Sequence, residues 1–144
     1  ATEKHLHQLQ SADRAWTFLV ADDHPVNRLL LKQVLQNAWP HGRVLEAVDG
    51  QKCLDVLHEH AVDLVFMDMV MPIMDGIDAT RLIRQDALDH IQQVPVLGLT
   101  ANVNPLDLER FQSAGLSGVM LKPFEPTELC HRAESLLLET GAQA

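Results

Sequence analysis

A short apolar run that ends in a carboxylate constrains the fold of this chain more than any other feature. Leu64 to Met67 is continuously apolar, a pattern typical of a strand buried on both faces of a parallel sheet, and Asp68 closes it. Met71-Pro72 and Asp75-Gly76 then indicate a loop, with Asp75 as the N-cap of a following helix. The run predicts a central strand with an acidic end, although a lone Asp there is often only a strand cap.

Four further segments are predicted strands, and a helical pattern follows each of them. They are Thr17–Ala21, Arg43–Ala47, Val94–Leu99 and Gly118–Leu121. The predicted helices begin at or near Pro25, Gly50, Asp75, Pro105 and Glu125 or Pro126. Because five strands alternate with five helices, we expect an α/β fold: a doubly wound parallel sheet with right-handed crossovers and helices on both faces.

Length and charge limit the classes of protein that fit. A chain of 144 residues suits one domain with one core. Its net charge of -9 argues against nucleic acid or an anionic membrane as a direct partner. No apolar stretch approaches the ~20 residues of a membrane span, and no signal peptide is visible. Cys53 and Cys130 fall in helical patterns, which favours reduced thiols and a cytoplasmic location.

Three regions are predicted along the chain. Residues 1–15 are polar and are interpreted as a linker or weak helix outside the core, residues 16–139 as the domain, and residues 140–144 as a tail. His5 and His7 are spaced like a metal pair, but without a further ligand nearby a solvated segment is the better interpretation. Because the chain begins at Ala1, we expect a processed chain or a domain of a longer protein.

Four of the predicted strands end in polar side chains that a parallel sheet would bring to one edge. These side chains are Asp22-Asp23, Asp68, Thr100 and Lys122. Three carboxylates in one crevice are costly unless a cation compensates them, and hard oxygen ligands of this kind suit Mg²⁺. The sequence therefore predicts a magnesium site at this edge.

The same residue types suit phosphoryl transfer. A carboxylate is able to attack phosphorus and form an aspartyl phosphate, after which the chemistry needs mainly positioning and charge neutralisation. Lys122 would supply a positive charge and Thr100 a hydroxyl donor. We therefore expect Asp68 to be a phosphoacceptor.

With these residues, the sequence resembles the receiver domains of two-component response regulators and hybrid sensor kinases. The resemblance extends from about Thr17 to Leu138. The resemblance rests on four motifs: Asp22-Asp23, Met67–Pro72 with Met74-Asp75-Gly76, Leu99-Thr100-Ala101 and Lys122-Pro123-Phe124. Asn27-Arg28 after the acidic pair looks more like the receivers of hybrid kinases.

The resemblance implies a flavodoxin-like fold with strand order 2-1-3-4-5 and an Asp68 that accepts a phosphoryl group from a phosphohistidine. The partner would be a histidine kinase or a histidine phosphotransfer domain. The residues implied to hold Mg²⁺ are Asp23, Asp68, the backbone carbonyl of Val70 and, through water, Asp22. Thr100 and Lys122 would bind the phosphoryl oxygens, and Lys122-Pro123 would be a cis peptide.

In this family phosphorylation reshapes the face made by the fourth of the five predicted helices, the fifth strand and the last helix. That face is also a possible homodimer contact. Val119 stands where many receivers have Tyr or Phe, so a different or weaker response is expected. Val70 and Asn102 would frame water access to the phosphoryl group, and we expect slow self-hydrolysis because Val70 cannot orient water.

Two alternatives remain open from the sequence. A Mg²⁺-dependent phosphohydrolase with an aspartyl nucleophile would need a second acid two residues after Asp68, where Val70 stands. The other is a receiver-like interaction domain that is not phosphorylated, which the intact acidic pair and Lys122 disfavour. A receiver would catalyse only its own phosphorylation and dephosphorylation, whereas a hybrid kinase that contained it would be a kinase.

Overall fold

A five-stranded parallel sheet forms the centre of the computed structural model, which describes residues 9–102 and 104–143. The strands are β1 (Thr17–Ala21), β2 (Arg43–Ala47), β3 (Leu64–Asp68), β4 (Val96–Thr100) and β5 (Gly118–Leu121). Their order is β2-β1-β3-β4-β5, and every pairing is parallel. The predicted doubly wound, flavodoxin-like fold is confirmed.

Six helices connect the strands or follow them in the described part of the chain. They are α1 (Pro25–Ala38), α2 (Gly50–Glu59), α3 (Gly76–Arg84), α4 (Asp89–Gln92), α5 (Pro105–Ala114) and α6 (Pro126–Gln143). The Asp75 side chain caps α3, as predicted, and the Asn104 side chain caps α5. The sequence does not predict α4, because one turn with a single buried side chain, Ile91, has no detectable apolar period.

The core lies in two layers, one on each face of the sheet. On β3, Val65 and Met67 point into the layer covered by α2, α3 and α5, while Leu64 and Phe66 point into the layer covered by α1 and α6. All four of these side chains are fully buried. This two-sided burial explains why the run contains no polar residue before Asp68.

Two features at the chain ends differ from what the sequence pattern suggests. Ser11 was expected outside the core, but it is buried and donates hydrogen bonds from both N and Oγ to Glu134 Oε2, each 2.8 Å long. Its Oγ also accepts a 3.1 Å hydrogen bond from Trp39 Nε1. At the other end α6 continues to Gln143, into the predicted tail. Residues 1–8, with His5 and His7, lie outside the described residues.

The remaining general predictions concern the thiols and the membrane. Cys53 and Cys130 are buried free cysteines, as expected. Burial raises the pKa of Cys53 to about 12 and that of Cys130 to about 11, so both remain protonated thiols at neutral pH. Among the helices of residues 9–102 and 104–143, none combines the length and the apolar character that crossing a membrane requires.

Candidate phosphorylation site

The acidic pair lies where β1 ends and is fixed by backbone contacts. The Asp22 backbone N–H donates to Ala47 O at 3.0 Å, which continues the pairing of β1 with β2. The Asp22 Oδ1 accepts a 2.9 Å hydrogen bond from the His24 backbone N–H, and its carbonyl accepts one of 2.9 Å from Arg28. The buried Asp22 carboxylate is thus held in one orientation, while Asp23 is half-buried beside it.

Asp68 ends β3 and is only 4% exposed. Its Oδ1 accepts hydrogen bonds from the Val70 backbone N–H at 3.3 Å and from Lys122 Nζ at 2.9 Å. Gly76, at the start of α3, lies against the Asp68 backbone, because a Cβ at Gly76 would be 2.5 Å from Asp68 O. Only glycine therefore allows the loop to return so close to the strand end.

Lys122 connects the end of β5 to the carboxylates on β1 and β3. Its backbone N–H donates to Thr100 O at 2.7 Å, and the Lys122-Pro123 peptide is cis, as the resemblance implied. Its Nζ lies 2.9 Å from Asp68 Oδ1 and 3.7 Å from Asp22 Oδ2. One ammonium group thus bridges two carboxylates whose positions in the chain are 46 residues apart.

Asp22, Asp23 and Asp68 form an acidic cleft in which each offers a carboxylate oxygen within 4.8 Å of the others. Burial raises the pKa of Asp68 above its ordinary value of 3.8. The hydrogen bond from Lys122 opposes that shift, whereas the negative charge of Asp22 adds to it. Three converging oxygen ligands, at least two of them buried, suit a hard divalent cation such as Mg²⁺.

Thr100 ends β4 with its hydroxyl directed into its own loop. The Thr100 Oγ1 donates to Asn102 O at 3.0 Å and accepts from the Asn102 backbone N–H at 3.3 Å. Thr100 is buried, and the cleft carboxylates and Lys122 lie on neighbouring strand ends of the same sheet edge. The sheet therefore brings together all the side chains that the sequence assigned to one site.

Residues 18–134 match the family model described as the response regulator receiver domain. The match includes every strand end that forms the acidic cleft, together with Thr100 and Lys122. The chain belongs to the response regulator receiver domain family. The predicted function class, a receiver domain of a two-component phosphorelay, is therefore confirmed.

Relatives of this receiver include large sensor proteins. It is 39% identical over 107 residues to the sensor protein EvgS of Escherichia coli, covering 74% of this chain and 8% of EvgS. It is 35% identical over 115 residues to the histidine-protein kinase BarA of the same species, covering 80% of this chain and 12% of BarA. Stress response regulator protein 1 of Debaryomyces hansenii is 30% identical over 108 residues, which are 75% of this chain and 44% of that protein. The receiver thus spans less than half the length of these curated relatives.

Solved structures give the same assignment. The receiver domain of a sensor histidine kinase from Pseudomonas aeruginosa, with a magnesium ion coordinated in its active-site cleft, has a TM-score of 0.76 and 30% identity. That match covers 86% of this chain and 98% of the other. The chemotaxis protein CheY4 of Vibrio cholerae has a TM-score of 0.79 and 26% identity, over 86% of this chain and 100% of the other.

Sequence reasoning missed the contacts by which two residues shape the site of this receiver. Arg28 bridges the Asp22 carbonyl and Glu46, the latter at 3.1 Å, and so joins the loop after β1 to β2. Gly50 donates to Met74 O at 3.0 Å, and a Cβ at Gly50 would lie 2.6 Å from that oxygen. The pairs Asp49-Gly50 and Asp75-Gly76 are turn signals in the sequence. The close approach of their two loops, however, depends on contacts that no local pattern encodes.

Proposed function

We propose that Asp68 accepts a phosphoryl group from the phosphohistidine of a histidine kinase or a histidine phosphotransfer domain. The observation that carries the proposal is the 2.9 Å contact of Asp68 Oδ1 with Lys122 inside the acidic cleft. Among the described residues Oδ2 accepts no hydrogen bond, which leaves it available for attack. The P–N bond to the donor imidazole breaks as the Asp68 O–P bond forms, and the imidazole recovers its lone pair.

The acidic cleft is the proposed Mg²⁺ site. Asp23, Asp68 and the Val70 carbonyl would be direct ligands, and Asp22 would act through water. When bound, the ion supplies positive charge that neutralises phosphoryl oxygens. Support comes from the convergence of three carboxylate oxygens within 4.8 Å and from the magnesium ion in the related Pseudomonas receiver. Lys122 would orient Asp68 and then contact the transferred phosphoryl group.

Thr100 is the proposed link between phosphorylation and output. Its hydroxyl would leave Asn102 for a phosphoryl oxygen, which frees the loop before α5. The surface affected would be the face of α5, β5 and α6, where Leu106 and Leu121 are exposed. The same face is the proposed homodimer contact. Val119 provides no aromatic ring for this movement, so we propose a response carried by the loop alone.

The receiver is further proposed to belong to a hybrid histidine kinase and to lie on the cytoplasmic side of a membrane. The sequence identity to EvgS and BarA supports this assignment. No direct contact of the receiver with nucleic acid or with the membrane is proposed, because a net charge of -9 opposes binding to anionic surfaces.

Intact-mass spectrometry after incubation with acetyl phosphate tests the phosphoacceptor. We expect one phosphoryl adduct that requires Mg²⁺ and is absent in Asp68→Asn. Asp75→Asn is the matched control, because Asp75 lies in the same loop and Asn caps a helix as well as Asp does. An adduct that persists in Asp68→Asn, or none on the folded native chain, would refute the proposal.

A further inference from the structure

Ile73 has a backbone conformation that its residue type disfavours. Its φ angle is 70°, in the left-handed region, and it is the one non-glycine residue with a positive φ in the described part of the chain. A β-branched side chain clashes with the backbone there, whereas glycine or asparagine fits readily. Ile73 is also 86% exposed, so burial of its side chain within this domain does not offset the strain.

Hydrogen bonds on both sides of Ile73 hold the loop in this conformation. The Met74 backbone N–H donates to Pro72 O at 2.7 Å, across Ile73 itself. Met74 O accepts from Gly50 at the start of α2, and Gly76 donates to Met69 O at 3.3 Å. The loop is therefore fixed to its neighbours, and the direction in which Ile73 projects is set before any partner binds.

Other exposed side chains at the same edge of the sheet as Ile73 are also apolar. The first two turns of α1 and the loops after β2 and β3 carry six of the eleven large hydrophobic side chains that are exposed in residues 9–102 and 104–143. These six are Val26, Leu29, Leu30, Val48, Val70 and Ile73. An acidic cleft with apolar side chains on the surrounding loops fits a protein partner that presents an apolar surface around its reactive group.

We propose that Ile73 is a docking residue for the domain that donates the phosphoryl group to Asp68, an inference that rests on the function proposed above. Asp68 is nearly buried, so a protein donor has to bring its imidazole into the cleft and thereby cover the loops at this edge. Ile73 lies five residues after Asp68 in the most exposed part of that loop. Strained residues that the surrounding structure holds in place are typical of functional sites.

The test compares two phosphodonors on the same variants. Acetyl phosphate needs no docking surface, whereas transfer from a protein does. The protein donors are ³²P-labelled histidine kinase and phosphotransfer domains of the source organism, and the fastest donor to the native chain is used for all variants. Two variants change Ile73: Ile73→Asn suits the left-handed conformation, and Ile73→Leu keeps an apolar side chain. Leu82→Gln is the control, because the Leu82 side chain is a half-exposed apolar residue on α3.

We expect Ile73→Asn to lose about tenfold in the rate of transfer from the protein donor. It should keep the native rate with acetyl phosphate and raise Tm by about 2–5 °C, because Asn relieves the strain. Ile73→Leu and Leu82→Gln should transfer like the native chain.

Three results would overturn the docking role: a native transfer rate in Ile73→Asn, an equal loss of transfer in Leu82→Gln, or a lowered Tm in Ile73→Asn. Each of these results would still leave Asp68 as the acceptor if acetyl phosphate labels it. No labelling of Asp68 by acetyl phosphate would instead refute the proposed function itself. Protein-dependent transfer that is unchanged while a homodimer is weakened would assign Ile73 to contacts between copies of the chain.

Discussion

Asp68→Asn should stabilise the receiver without metal and destabilise it, relative to the native chain, with metal. At an effective dielectric constant of about 20, unit charges at the 4.8 Å upper limit of the carboxylate separations repel by about 3.5 kcal/mol, and an ion pair at 2.9 Å attracts by about 6 kcal/mol. Neutralising Asp68 removes two such repulsions, from Asp22 and Asp23, and one attraction, to Lys122. The balance favours Asn by about 1 kcal/mol, and relief from carboxylate burial adds to it.

Thermal unfolding followed by circular dichroism measures both halves of this prediction. In EDTA we expect Tm of Asp68→Asn to exceed the native value by about 3–6 °C. Mg²⁺ at a hundred times its Kd should stabilise the native chain by about 2.7 kcal/mol and the variant by less, since one charged ligand is lost, so the order reverses. Asp75→Asn should match the native chain in both conditions. A lower Tm for Asp68→Asn in EDTA, or equal stabilisation of both chains by Mg²⁺, would refute the reasoning.

Three further predictions concern the core, pH and the phosphoryl lifetime. Ser11→Ala leaves two buried partners, Trp39 Nε1 and Glu134, each short of a hydrogen bond. The substitution should lower the free energy of unfolding, measured by urea titration, by about 2–4 kcal/mol. Ser113→Ala, at an exposed site, should leave the free energy of unfolding almost unchanged. Because the pKa of Asp68 is raised in the folded state, the folded chain binds the carboxyl proton more tightly than the unfolded chain does. In EDTA the stability advantage of Asp68→Asn should therefore grow as pH rises from about 3.8 through the raised pKa, and then level off. An advantage that does not depend on pH would contradict this prediction. The phosphorylated chain should persist for longer than seconds, because Val70 cannot orient water. Intact-mass spectrometry over time measures the loss of the phosphoryl adduct. Faster loss in the native chain than in Val70→Asn would contradict the prediction.

The sequence alone predicts which side chains of the candidate site converge wherever their convergence follows from the direction of the strands. Asp68 and Thr100 end buried apolar strands and Lys122 directly follows a short apolar strand, and parallel strands necessarily bring such positions to one edge. Ser11 was misjudged because its partner Glu134 is 123 residues away and a serine in a polar segment carries no sign of burial. The left-handed Ile73 was equally invisible, because an isoleucine normally predicts extended backbone.

The charges of the cleft favour the proposed movement of the Thr100 hydroxyl on phosphorylation. Three carboxylates and the Lys122 ammonium leave a net charge of two negative, which one divalent cation balances. A phosphoryl group on Asp68 replaces one negative charge by about two, so the metal-loaded cleft again becomes negative. Thr100 offers a hydroxyl at the end of β4, the strand next to β3. Only two hydrogen bonds to Asn102, one of them 3.3 Å long, hold this hydroxyl in the described part of the chain. Its transfer to a phosphoryl oxygen would therefore give up little and would donate a hydrogen bond to the added negative charge, which would couple the chemistry at β3 to the loop before α5.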